Sequence, residues 1–125
     1  MRVVLFWLVA IDLVVCILFT VQILFFPSSF LQSAFGGGVQ FSSLVKDMTR
    51  LLGGIYLSWT IMLGLIVHGN VPLTRMVSFF LLISAALQLP IAGSFEAFTS
   101  TFVTINKLAL WFWVLAYSLV FLLWK

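Results

Sequence analysis

At 125 residues, 64% hydrophobic and 7% charged, with a mean hydropathy of +1.29, the chain stands far from the roughly 25% charged composition of soluble domains. It reads as an integral membrane protein forming a single domain, 1–125. The net charge of +3 rests on Arg2, Lys46, Arg50, Arg75, Lys107 and Lys125, which are dispersed along the chain, so there is no basic patch to bind nucleic acid. Cys16 is alone, which excludes a disulfide framework, a CxxC pair and a haem-attachment motif.

Residues 3–26 form an apolar run interrupted only by Asp12, Thr20 and Gln22. A bilayer core of roughly 30 Å takes about 20 helical residues, so this run is long enough to cross. It exceeds the apolar core of a removable signal, and no small-x-small cleavage site occurs before Pro27, so a retained transmembrane helix is expected. Asp12 sits near its middle, where insertion scales assign a cost of about +2.5 to +3.5 kcal/mol.

Pro27 is expected to end the first span, with Ser28 and Ser29 capping a short element after it. The segment 30–47 is too polar and too glycine-rich to cross, and Phe30, Leu31, Phe35, Phe41 and Leu44 are spaced to lie along the membrane surface. The run Gly36-Gly37-Gly38 precedes no strand–helix unit and is read as flexibility rather than a phosphate loop.

A second span is expected over 49–67, with Arg50 at its mouth and His68-Gly69-Asn70 closing it. Gly53, Gly54, Ser58 and Gly64 are small residues that permit close helix approach, Gly54 and Ser58 forming a small-xxx-small pair. Pro72 is expected to open a third span over 73–89 and Pro90 to end it. Arg75, Ser78, Leu82, Ala85 and Gln88 share one face of that helix and should turn inward.

The stretch 91–104 holds Glu96 with Phe95, Phe98 and Phe102 and is read as interfacial; a fourth span follows over 105–124. Trp7 and Trp124 mark one interface; Trp111 and Trp113 stand about two turns in from Asn106 near the other. The expected fold is therefore all-α, a four-transmembrane-helix bundle with interfacial segments in the first and third loops. Such a chain is multi-pass, with both termini on one side. Basic residues divide evenly between the sides, and the lack of acids on the terminal side leans towards termini inside.

The chemistry turns on what shares the depth of Asp12. Antiparallel threading brings it level with residues 61–64 of the second span, and puts Thr60, Ser84, Tyr117 and Ser118 within about one turn as hydroxyl donors. Arg75 starts about 9 Å shallower, and its long side chain reaches part of that distance, so an Asp12–Arg75 contact is expected. An intramembrane acid points either to a proton or cation site or to a structural acid joining helices or subunits, and no second carboxylate or histidine stands beside this one to form a relay. His68 lies at a helix end, where snorkelling or capping competes with ligation of a porphyrin metal. No HExxH, paired-carboxylate or Ser-His-Asp pattern supports an enzyme, and no metal or cofactor is expected beyond contact with lipid or pigment.

The segment Asp47-Met48-Thr49-Arg50-Leu51-Leu52-Gly53-Gly54-Ile55-Tyr56-Leu57 resembles the DUF4345/DoxX-like small four-helix membrane proteins, which carry an Arg-x-x-Gly pattern at the start of their second helix. The resemblance implies a four-helix bundle and brings no established activity. Trp7-Leu8-Val9-Ala10-Ile11-Asp12 is similar to the first helix of the small multidrug resistance transporters, whose essential acid exchanges protons for a cationic drug. That likeness would make Asp12 the proton and substrate site; the family's acid is a Glu, its first loop is shorter, and the later helices differ. With aromatic residues at 17% and 14 Phe, the chain offers broad apolar surface to lipid or to partner helices. The preferred expectation is an accessory subunit packed against a larger membrane complex, the alternative a proton-coupled small-molecule transporter using Asp12.

Overall fold

A computed structural model describes residues 1–37, 40–92 and 99–125. Among the described residues the chain is entirely helical: α1 (Arg2–Phe25), α2 (Pro27–Phe35), α3 (Ser43–Val67), α4 (Arg75–Ala92) and α5 (Ser100–Leu123). Three of these, α1, α3 and α5, are long and apolar enough to cross a membrane, whereas α4 is a shorter apolar helix. The expectations for Phe95, Glu96 and Phe98, and for Gly38, lie outside the described residues.

The helices begin and end where local hydrogen bonds dictate. Pro27 does not merely stop α1; it opens α2 in the first turn, where its missing N–H costs nothing. The expected Ser28–Ser29 cap is not made: the N-cap position is Phe26, without a side-chain bond. Ser42 caps α3 by accepting from the Val45 N–H at 3.3 Å, so α3 starts at Ser43 and not at residue 49. Arg50 thus lies two turns inside the helix. Thr74 caps α4 through the Val77 N–H at 3.3 Å, moving its start from the expected 73 to Arg75. Thr99 does the same for α5 through Phe102, five residues before the expected start.

At the far ends, α3 closes in a Schellman arrangement. Asn70 N–H donates to Leu65 O at 3.0 Å and Gly69 N–H to Ile66 O at 3.1 Å, with Gly69 at φ +89°, a conformation that strains any L side chain. Pro90 lies inside α4 instead of beyond it. Its missing N–H removes one i→i−4 bond from the helix.

The chain falls into two compact units, one of Met1–Leu8 with Pro72–Lys125, the other Val9–Val71. In the second, α2 packs on α3, burying Pro27, Phe30, Leu31 and Ala34 on one face. Phe30 and Leu31, expected along the membrane surface, are therefore core residues, while Phe35 meets Phe41 ring to ring at 5.7 Å. Helices α1 and α3 of this unit run antiparallel. Gly53 of α3 lies against Ile23 and Leu24, and a Cβ placed there would stand 2.7 Å from Leu24 Cδ2 and 2.9 Å from Ile23 Cγ2. Further along, Phe19 stacks on Tyr56 at 6.5 Å.

In the first unit α4 and α5 are neighbours, with the start of α4 beside the end of α5. Ser78, Leu81 and Ala85 line the buried face of α4, and Tyr117 and Val120 that of α5. The expected inward stripe of α4 holds at Ser78 and Ala85 and fails at its ends, since Arg75 and Gln88 are exposed. Large apolar side chains such as Leu18, Leu51, Met76 and Leu122 are exposed along the helices, as lipid or a partner helix would require.

Candidate functional site

The residues singled out at membrane depth begin with Asp12. On α1, Val9, Asp12, Cys16, Thr20 and Ile23 recur at intervals of three and four, the spacing of one helical face. Val9, Cys16, Thr20 and Ile23 are buried and Asp12 half-buried, so the acid belongs to the inward face. The Cys16 thiol, one turn on, donates to Asp12 Oδ1 at 3.6 Å.

Thr20 and Thr60 bring α1 and α3 together, their hydroxyl oxygens 3.1 Å apart. Thr60 Oγ1 also lies 2.8 Å from Tyr56 O and donates its one proton there, so Thr20 must be the donor between the two hydroxyls. Counting from the approach of Ile23 to Gly53, Asp12 is level with Gly64; counting from Thr20 and Thr60, it is level with His68. Gly64 follows Gly53 by eleven residues, close to three full turns, so both face the same way. Where Gly53 is crowded, a side chain at Gly64 would meet nothing within 4 Å. Gly54 likewise faces open space, and Ser58 is exposed with its hydroxyl returned to Gly54 O at 3.1 Å. The helix contact is therefore made by Gly53, and the Gly54–Ser58 pair takes no part in it.

His68 is exposed at the C-cap of α3. Its N–H donates to Gly64 O at 2.9 Å, and its Nδ1 lies 3.4 Å from Asn70 Nδ2. Arg50 pairs with Asp47 at 3.4 Å across one turn, both side chains largely exposed, a pair of the kind worth about 0–1 kcal/mol.

Arg75, Ser84, Gln88 and Tyr117 belong to the other unit. Arg75 Nε donates to Phe121 O at 3.2 Å, and its guanidinium sits 4.4 Å from the centre of the Phe121 ring. That carbonyl is among the last four of α5, which lack intrahelical donors, so Arg75 completes the end of the neighbouring helix. Ser78 is fully buried and donates to Arg75 O at 2.7 Å. Gln88 Nε2 donates to Ser84 O at 3.1 Å. Tyr117 is buried and stacked on Trp113, centroids 5.6 Å apart.

Every buried side-chain nitrogen and oxygen among the described residues has a hydrogen-bond partner. No three His, Cys, Asp or Glu among them lie together as metal ligands would. The thiol of Cys16 was not among the donors expected for Asp12, although its place four residues on along the same face is readable from the sequence. The acceptor for Arg75 was not legible, because a backbone carbonyl carries no residue signature.

No family model, no curated protein and no solved structure matches this chain.

Proposed function

We propose that this chain is a small non-catalytic integral membrane protein that packs as an accessory subunit against a larger membrane protein complex. The observation that carries the reading is where its polar side chains direct their hydrogen bonds. Ser58, Thr60, Gln88 and Asn106 each bond a carbonyl one turn back on their own helix, Ser78 one three residues back, and Thr20 reaches Thr60. Groups bonded in this way stabilise helices in hydrocarbon; they do not converge on a point where a substrate would sit. Gln88 is exposed on α4 with its Oε1 unbonded among the described residues, a polar atom that a partner helix would satisfy better than lipid.

The same reading takes α4 as a fourth crossing. Its 18 residues extend about 27 Å at 1.5 Å each, within one turn of the roughly 30 Å core, a mismatch that slight bilayer thinning accommodates. The chain is then multi-pass with both termini on one side, inside, and its partners are membrane lipids and other membrane subunits. The likeness of residues 47–57 to the DUF4345/DoxX-like proteins agrees with such a bundle. A photo-crosslinking residue replacing Gln88 in native membranes should give one discrete adduct with another protein. Adducts with lipid alone would contradict the reading.

One observation favours a second reading, a proton-coupled transporter using Asp12. The half-buried acid is level with the stretch of α3 where Gly64 faces open space, room that a cation or water would need.

A further inference from the structure

Arg75 differs from Arg50 in how its guanidinium is used. It stands at the first position of α4, exposed, with Nε bonded to the Phe121 carbonyl and Cζ over the Phe121 ring. Its Nη1 and Nη2 make no hydrogen bond and no ion pair among the described residues, in contrast to Arg50, whose Nη1 is on Asp47. Two contacts with Phe121, Nε on its carbonyl and Cζ over its ring, restrict the guanidinium and leave these donors available as a fork, the geometry that suits a phosphate. Beside it lies a shallow, open groove of about 540 Å³ lined by Thr74, Arg75, Met76, Phe79 and Phe121, apolar almost throughout. Met76 is largely exposed on this surface, and Phe79 and Phe121 meet at 5.2 Å to form its wall.

A phosphate alone would use the fork and leave the apolar wall bare. An acyl chain alone would cover the wall and leave a cation uncompensated at the end of a membrane helix. We propose that this groove between the start of α4 and the end of α5 is a binding site for an anionic phospholipid, its phosphate on the Arg75 fork and an acyl chain along Met76, Phe79 and Phe121. Basic pockets between membrane helices select acidic head groups on these grounds, and the positive charge complements the lipid's negative one. The site lies within one unit of the chain and does not depend on the accessory-subunit reading.

The test uses the full chain in mild detergent, with native mass measurements of lipid retention as phosphatidylglycerol or phosphatidylcholine is titrated in. The wild type should hold phosphatidylglycerol about fivefold more tightly, the selectivity expected of one basic residue near a membrane surface. That preference should vanish in Arg75→Gln and persist in Arg50→Gln, whose charge lies elsewhere. Met76→Trp, which puts a bulky ring in the acyl path while sparing the cation, should weaken retention of both lipids, and it decides the matter should Arg75→Gln not fold. Equal affinities in the wild type, an unchanged preference in Arg75→Gln, or full retention in Met76→Trp would each overturn the proposal. So would displacement of phosphatidylglycerol by an equal concentration of inorganic phosphate, which would assign the fork to the free anion.

Discussion

Thr20 donates its hydroxyl proton to Thr60 across 3.1 Å, fastening α1 to α3 with a side-chain hydrogen bond between two long helices. Interhelical bonds of this type in membrane proteins contribute on average about 0.6 kcal/mol. A double-mutant cycle of Thr20→Val and Thr60→Val, read by reversible SDS unfolding in mixed micelles, should therefore return a coupling of about 0.5–1.5 kcal/mol. Strict additivity would mean the two hydroxyls do not interact.

The crowding at Gly53 makes a sharper forecast. Gly53→Ala must displace Leu24 or the branched Ile23 side chain and should destabilise by about 1–3 kcal/mol, with Gly53→Leu worse. Gly54→Ala, which meets nothing, should be neutral or stabilising by up to about 1 kcal/mol from helix propensity. The same unfolding assay separates them, and equal effects would refute the close approach.

Ser42 sets where α3 begins. Ser42→Ala should cost about 0.5–2 kcal/mol and quicken amide exchange at Val45, leaving the middle of α3 unchanged. Unaltered exchange there would show that the cap is not what starts the helix.

Asp12→Asn keeps the shape of the side chain and an acceptor for the Cys16 thiol. On the structural account it folds, and neither it nor the wild type drives exchange of a lipophilic cation against a pH gradient in liposomes. Flux in the wild type that is lost in Asp12→Asn would instead establish the transporter reading.

Hydropathy made the long apolar helices legible, because a run such as that ending at Phe25 is long enough to cross a bilayer. It misjudged the helix starts because it averages over polar first turns. Lys46, Asp47 and Arg50 lower the average, whereas the helix is decided by whether Ser42 can satisfy a free N–H. The expectation that Phe30 and Leu31 would lie on the membrane surface missed for a related reason: an amphipathic face looks the same whether it meets lipid or α3. Among the small residues of α3, composition could not tell that Gly53 alone meets a neighbour, since that depends on where Ile23 and Leu24 fall opposite it. Arg75 was expected to turn towards an acid in the span; its donor Nε found a carbonyl at the end of α5, an acceptor every helix terminus offers.

The accessory-subunit account is tested most directly by the native mass of the chain extracted from its own membrane in mild detergent. It predicts a discrete assembly well above 14.0 kDa that contains other subunits in fixed ratio. A mass of one chain, or an integer multiple of it with lipid alone, would contradict it.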